Sequence, residues 1–233
     1  MERFKKGLKD GLPIGLGYLS VSFTFGMIAT AQGLSTLQAT LLSLANLTSA
    51  GQFAAIQLMA VQAPIFEVFL TTIIINFRYV LMSISLSQKL DPHMKLREKC
   101  IVAFGNTDEI YAVAQSQPEP NKVQYMLGLM TTPIIGWTLG TFLGGTFNSL
   151  LPPSLQSAFS IALYGMFIAI ILPVAKKVKT VAFTICISIV LSSLFAWVPF
   201  LNFISDGFSI ILCTLIASAI SATLFPVEVN EYE

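Results

Sequence analysis

Apolar residues fill long blocks of this chain, at about 12–31, 35–62, 65–87, 100–116, 123–150, 154–175, 180–198 and 207–225, with short polar stretches between. At ~1.5 Å rise per residue, a block of about 20 residues crosses the ~30 Å hydrocarbon layer of a bilayer. Blocks this long predict helices rather than the short alternating strands of a barrel. The expected fold is therefore all-α, a polytopic transmembrane bundle forming one transport domain over 1–233. About six full spans are expected, at 12–31, 65–87, 123–150, 154–175, 180–198 and 207–225. The run 123–150 would be ~42 Å long if straight, so tilt or a kink near Pro133 is expected.

Two blocks do not read as simple spans. Segment 35–62 is interrupted by Thr48-Ser-Ala-Gly-Gln52, and segment 100–116 contains Gly105-Asn-Thr-Asp-Glu109. Irregular backbone and charge at membrane depth are tolerated only against protein or a water-filled cavity. Function is to be sought in these two segments. Each is read as broken or re-entrant, although 35–62 also fits two steeply bent helices.

Charge orients the chain. Hydrophobic residues make up 55% and charged residues only 11%, with a net charge of +1. Ordinary soluble domains carry ~25% charged residues, so a soluble enzyme is excluded, as is a disordered chain. No basic face exists for nucleic acid, and the bilayer is the expected partner. If both broken segments return to their own side, twelve of the thirteen basic residues fall on one side. They are Arg3, Lys5, Lys6, Lys9, Lys89, Lys95, Arg97, Lys99, Lys122, Lys176, Lys177 and Lys179. The positive-inside rule then sets both termini in the cytoplasm, as a basic segment 1–11 and a tail 226–233. The thirteenth, Arg78, lies inside a span. Ala29-Thr-Ala31 looks like a signal-peptidase site, but the glycine-bearing run before it is longer than a usual signal core, and a retained helix is favoured.

Little supports catalysis, and no catalytic residue is assigned. His93 is the one histidine, and Cys100, Cys186 and Cys213 are far apart, so no metal or cofactor is expected. Neither a phosphate-binding loop nor a nucleophile elbow occurs.

The polar residues at depth carry the chemistry. Arg78 costs ~2.5–3.5 kcal/mol at a helix centre on insertion scales, so it needs a purpose. It is either a structural ion pair with Asp108 or Glu109, or a bidentate grip on a substrate carboxylate. Asn76 shares its helical face only if the backbone unwinds there. Asp108 and Glu109 point ~100° apart on a helix. One can neutralise Arg78 while the other takes an ammonium group or a proton. Alternatively, Thr107 or Asp108 simply caps a helix over 110–115. In the first break, Ser49, Ala50, Gly51 and Gln52 form either a plain turn or a half-helix start whose amides face an anion. Glu67 and Asp206 read as interfacial or capping residues at span starts. Trp197 fits an outer aromatic belt, and Trp137 reads as packed inside.

Two glycine ladders complete the pattern. Gly7, Gly11 and Gly15 recur every four residues, as do Gly136, Gly140 and Gly144. Each set lies on one helix face and lets another helix approach, within the chain or from a partner subunit.

Taken in order, these islands resemble the AzlC family, the large subunit of bacterial branched-chain amino acid exporters. The resemblance runs through Gly11-Leu-Pro-Ile-Gly-Leu-Gly-Tyr18, Phe25-Gly26, Ala31-Gln-Gly-Leu-Ser35, Leu47-Thr-Ser-Ala-Gly-Gln-Phe53, Asn76-Phe-Arg-Tyr79, Ser83-Ile-Ser-Leu86 and Thr107-Asp-Glu109. It covers roughly residues 10–115. Against the family's usual Phe-Ala-Gly-Ala-Ala/Ser-Gln-Phe, this chain differs at Leu47, Thr48, Ser49 and Gly51. Against Asn-Leu-Arg-His it differs at Phe77 and Tyr79, and both departures bear on substrate choice. The resemblance implies a permease of the bacterial inner membrane that exports leucine, isoleucine, valine or analogues. It also implies coupling to protons and a small membrane partner of the AzlD type. On the residues themselves, a non-transporting scaffold subunit is the competing reading.

Overall fold

Long apolar runs leave the backbone no partner but itself, and the chain meets this demand with helices. The computed structural model describes residues 1–201 and 203–226, and for eleven residues between Pro153 and Ile170 the backbone alone. Most of the tail 226–233 thus lies outside the described residues. The described residues form α1 (Glu2–Ala31), α2 (Thr36–Ala45), α3 (Ala50–Ala60), α4 (Ile65–Asn76), α5 (Arg78–Lys89), α6 (Leu96–Phe104), α7 (Asp108–Gln115), α8 (Val123–Phe147), α9 (Pro153–Lys177), α10 (Lys179–Trp197) and α11 (Asp206–Leu224). Extended pairing among them is limited to one bridge between Leu90 and Asn121. An all-α membrane bundle is thus what the chain builds. Five helical stretches are long and apolar enough to cross a bilayer: Glu2–Ala31, Ile65–Lys89, Val123–Leu150, Lys179–Trp197 and Asp206–Leu224. The 25-residue α9 occupies the remaining expected span.

The helices fall into two compact units, one of residues 1–56 and 76–163, the other of 57–75 and 164–233. In the first, α1 and α8 lie against each other along most of their length. The two glycine ladders face one another across this contact. A Cβ at Gly7 would meet the backbone at Tyr125 and Leu129, and one at Gly15 would meet Thr132 and Pro133. From the other side, Gly136 lies on the Gly15 backbone, Gly140 on Leu19 and Ser22, and Gly144 on Phe23. Gly11 likewise sits on Leu129 and Thr132. Without side chains between them the backbones touch, which gives dispersion contact where lipid offers no hydrophobic drive.

This register has a direction. Early residues of α1 meet early residues of α8, and Gly26, near the end of α1, meets Thr141 and Gly145. The two helices are therefore parallel, which requires an odd number of crossings between them. The stretch Ile65–Lys89 supplies one if α2–α3 and α6–α7 each return to the side they left. A crossing by only one of those pairs would make α8 antiparallel to α1.

Around this pair, Leu86, Leu90, Met94, Val102, Ile110, Ala114, Met126, Leu129 and Met130 form a buried apolar cluster joining α5, α6, α7 and α8. In the second unit, buried Glu67 on α4 accepts hydrogen bonds from Ser205 Oγ (2.5 Å) and the Gly207 amide (3.0 Å). It thus caps the N-terminus of α11, a helix other than its own. The hydroxyls of Thr184 and Ser221 tie α10 to α11 at 2.7 Å.

Candidate functional site

Three interruptions in helical structure bring the polar residues of the first unit into use. The first separates α2 from α3. Ser35 caps α2 in a capping box with Gln38, and the helix ends at Asn46 in extended conformation. Ser49 then takes a left-handed φ of 48°, an uncommon state for a residue with a side chain. The helix resumes at Ala50, so the irregular stretch is 46–49 and the expected island Thr48–Gln52 straddles the new start. Ser49 O accepts from the Phe53 amide at 3.0 Å, while the amides of Ala50, Gly51 and Gln52 lie in the first turn.

Gln52 is fully buried, and both ends of its amide are engaged. Its Nε2 donates to Ser43 Oγ (3.0 Å), and its Oε1 accepts from Trp137 Nε1 (3.0 Å). The Ser43 and Thr141 hydroxyls share a hydrogen bond of 2.7 Å, and Thr141 donates to the Trp137 carbonyl at 3.1 Å. Gln52 therefore braces the break against α8. Gly51 presents a different surface. A Cβ there would lie 2.5 Å from Asn76 Nδ2, 2.7 Å from Thr48 Oγ1 and 2.9 Å from Asn76 Oδ1. Thr48 Oγ1 and Asn76 Oδ1 are two of six buried side-chain oxygens without a hydrogen-bond partner among the described residues, and both lie beside Gly51. Such atoms are rare in folded proteins and call for an explanation.

The second interruption lies between α4 and α5, at Phe77, where the Val80 amide reaches back to the Phe77 carbonyl (3.0 Å). Here Asn76 and Arg78 separate. Asn76 goes to Gly51, while Arg78 Nη2 meets Asp108 Oδ2 at 3.0 Å, both side chains about half exposed. The guanidinium also stacks on the Tyr79 ring at 5.1 Å and donates to its hydroxyl at 3.4 Å.

The third interruption, Gly105–Thr107, separates α6 from α7. Gly105 sits under the Met130 side chain, and Asn106 Nδ2 donates to Ser83 Oγ at 3.3 Å. Thr107 occupies the N-cap position without capping through its side chain, because its hydroxyl faces Tyr18. The Tyr18 hydroxyl donates to Thr107 Oγ1 (2.7 Å) and to Glu109 Oε2. A phenol has one proton, so it serves one of these acceptors at a time. Asp108 and Glu109 thus have separate partners, Arg78 and Tyr18.

Tyr18 and Trp137 connect the first and third breaks, a role that neither the motif ending at Tyr18 nor the expected burial of Trp137 announces. Their rings meet edge to face, with centroids 5.3 Å apart. Trp137 is buried as expected, but its indole N–H works in the site rather than merely filling space. Ser43 and Thr141 are likewise hidden in apolar runs. The sole available signal was a hydroxyl or indole in the middle of a helix that must satisfy it internally.

The model of the AzlC protein family matches residues 13–151, which include all three interruptions and most of α1 and α8. The chain belongs to the AzlC family. Among AzlC-like relatives, an uncharacterised membrane protein of Archaeoglobus fulgidus is 36% identical over 175 residues, covering 74% of this chain and 76% of its own. The inner membrane protein YgaZ of Escherichia coli is 28% identical over 188 residues, or 78% of this chain and 77% of its own. No solved structure matches the chain. With its apolar helices, membership of the AzlC family makes this a multi-pass membrane protein with a transport-related role.

Proposed function

We propose that this protein is a secondary-transport permease that exports leucine, isoleucine, valine or similar small apolar amino acids, coupled to protons. In this reading it works in the bacterial inner membrane, with both termini cytoplasmic, beside a small membrane subunit of the AzlD type. The observation that carries the reading is that two of the unpartnered oxygens, Thr48 Oγ1 and Asn76 Oδ1, lie together at the start of α3. A helix N-terminus offers amides to a carboxylate, and the adjacent oxygens offer acceptors to an ammonium group. One zwitterion uses both. Asn76 and the turn Ser49–Gln52 hold the substrate, and Arg78 with Asp108 tunes the field beside it. Glu109 carries the proton.

The scaffold reading needs glycine faces free for a partner. Both ladders are consumed by the α1–α8 contact, which favours the permease. The test is export. Cells expressing the protein and fed a leucine-containing peptide should hold less internal leucine than cells without it. Asn76→Ala should remove this effect while the protein stays in the membrane. Unchanged internal leucine in both strains would overturn the proposal.

A further inference from the structure

The helices that flank two broken segments distant in sequence, 46–49 and 105–107, are joined by one unbroken line of contacts. It runs from Glu109 to the Tyr18 hydroxyl, then from the Tyr18 ring to the Trp137 ring at 5.3 Å. From Trp137 Nε1 it reaches Gln52 Oε1 at 3.0 Å, and from Gln52 Nε2 it reaches Ser43 Oγ at 3.0 Å. Trp137 and Gln52 are fully enclosed, so neither has a water to turn to if its neighbour moves. We infer that Tyr18 is a positioning residue that transmits the protonation state of Glu109 to Gln52 in the first turn of α3.

The proton inventory gives the device its two states. An ionised Glu109 has no proton to donate and holds the single Tyr18 proton. A protonated Glu109 carries its own O–H and becomes a weaker acceptor, so the Tyr18 proton is released toward Thr107 Oγ1, its other acceptor at 2.7 Å. The phenol then shifts between Glu109 and Thr107, and its ring edge lies against the indole that fixes Gln52. The titratable and charged groups around Glu109 are Tyr18 on α1, Arg78 and Tyr79 on α5, and Asp108 on its own helix. Asp108 answers to Arg78, which leaves Glu109 as the group that speaks to Tyr18. This inference rests on the permease reading for its purpose, since it links a proton site to a substrate site, but the linkage is measurable without transport.

The chain has two tryptophans, Trp137 and Trp197, so Trp197→Phe leaves Trp137 as the sole indole reporter. In liposomes, the emission of this variant should change with pH along a one-proton curve. Adding Glu109→Gln or Tyr18→Phe should abolish the curve, whereas Asp108→Asn should move its midpoint and keep its amplitude. Tyr18→Phe retains the ring and its packing, so a purely structural role predicts an unchanged curve. Should one of those two variants fail to accumulate, the other decides. Emission that ignores pH overturns the inference. So does a curve that survives Tyr18→Phe, or one that vanishes in Asp108→Asn. Failure of leucine export would instead strike the permease reading and leave this linkage standing.

Discussion

Arg78 on α5 and Asp108 at the start of α7 hold each other at 3.0 Å, but they are unequal partners. Asp108 can shed its charge by taking a proton, whereas a guanidinium keeps its charge at any physiological pH. An unpaired arginine near the middle of a membrane span costs up to ~2.5–3.5 kcal/mol on insertion scales. Asp108→Asn should therefore lower the amount of protein in the membrane more than Arg78→Gln does. The double variant should recover toward Arg78→Gln, which quantitative immunoblotting of membranes would show. Equal losses in the two single variants would contradict this asymmetry.

The α1–α8 contact predicts a sharp positional contrast among glycines. A side chain at Gly136 or Gly15 would run into backbone, whereas Gly17 has open space. Gly136→Val and Gly15→Val should each destabilise the protein by at least the ~1–3 kcal/mol typical of overpacking, because backbone cannot swing aside. Gly17→Ala should be neutral within ~0.5 kcal/mol. Thermal midpoints of the purified variants would decide, and a neutral Gly136→Val would mean that the helices can part.

Glu67 gives a test in the second unit. Its carboxylate receives Ser205 Oγ at 2.5 Å and the Gly207 amide at 3.0 Å. Glu67→Ala strands a buried amide and should cost ~1–3 kcal/mol. Glu67→Gln keeps an acceptor oxygen and should cost less. Hydrogen exchange at the first turn of α11 should speed up in that order, and indistinguishable rates would remove Glu67 as the cap.

The long helices were legible because an apolar run of ~20 residues has few other ways to satisfy its backbone. The value of Arg78, Asp108 and Glu109 was legible for a related reason, since isolated charges stand out against such runs. The site's exact breaks were less so. Leu47 is apolar yet lies in the irregular stretch, because burial there comes from tertiary contact rather than from helical position. Spacing showed that each glycine ladder occupies one face but said nothing about which helix would meet it. Tyr18 closes the first motif of the resemblance and Trp137 reads as packed inside, but their roles in the site carried no signal, as an aromatic in an apolar run looks the same whether its polar atom is idle or employed. Pairings across the sequence, such as Tyr18 with Glu109, belong to the fold and have no local trace.

The backbone-to-backbone seam between α1 and α8 has a mechanical consequence. Side chains act as compliant spacers, and this seam has almost none, so a slide of even a fraction of a helical turn would drive carbonyls into one another. The pair forms a stiff keel on which Tyr18 and Trp137 are mounted. In the permease reading, any alternation that exposes the α3 start first to one side and then to the other cannot come from α1 sliding on α8, and falls to helices outside this pair, among them α2 with α3 and α6 with α7. Crosslinking α1 to α8 should then be harmless to turnover, while tying α3 to α8 should stop it.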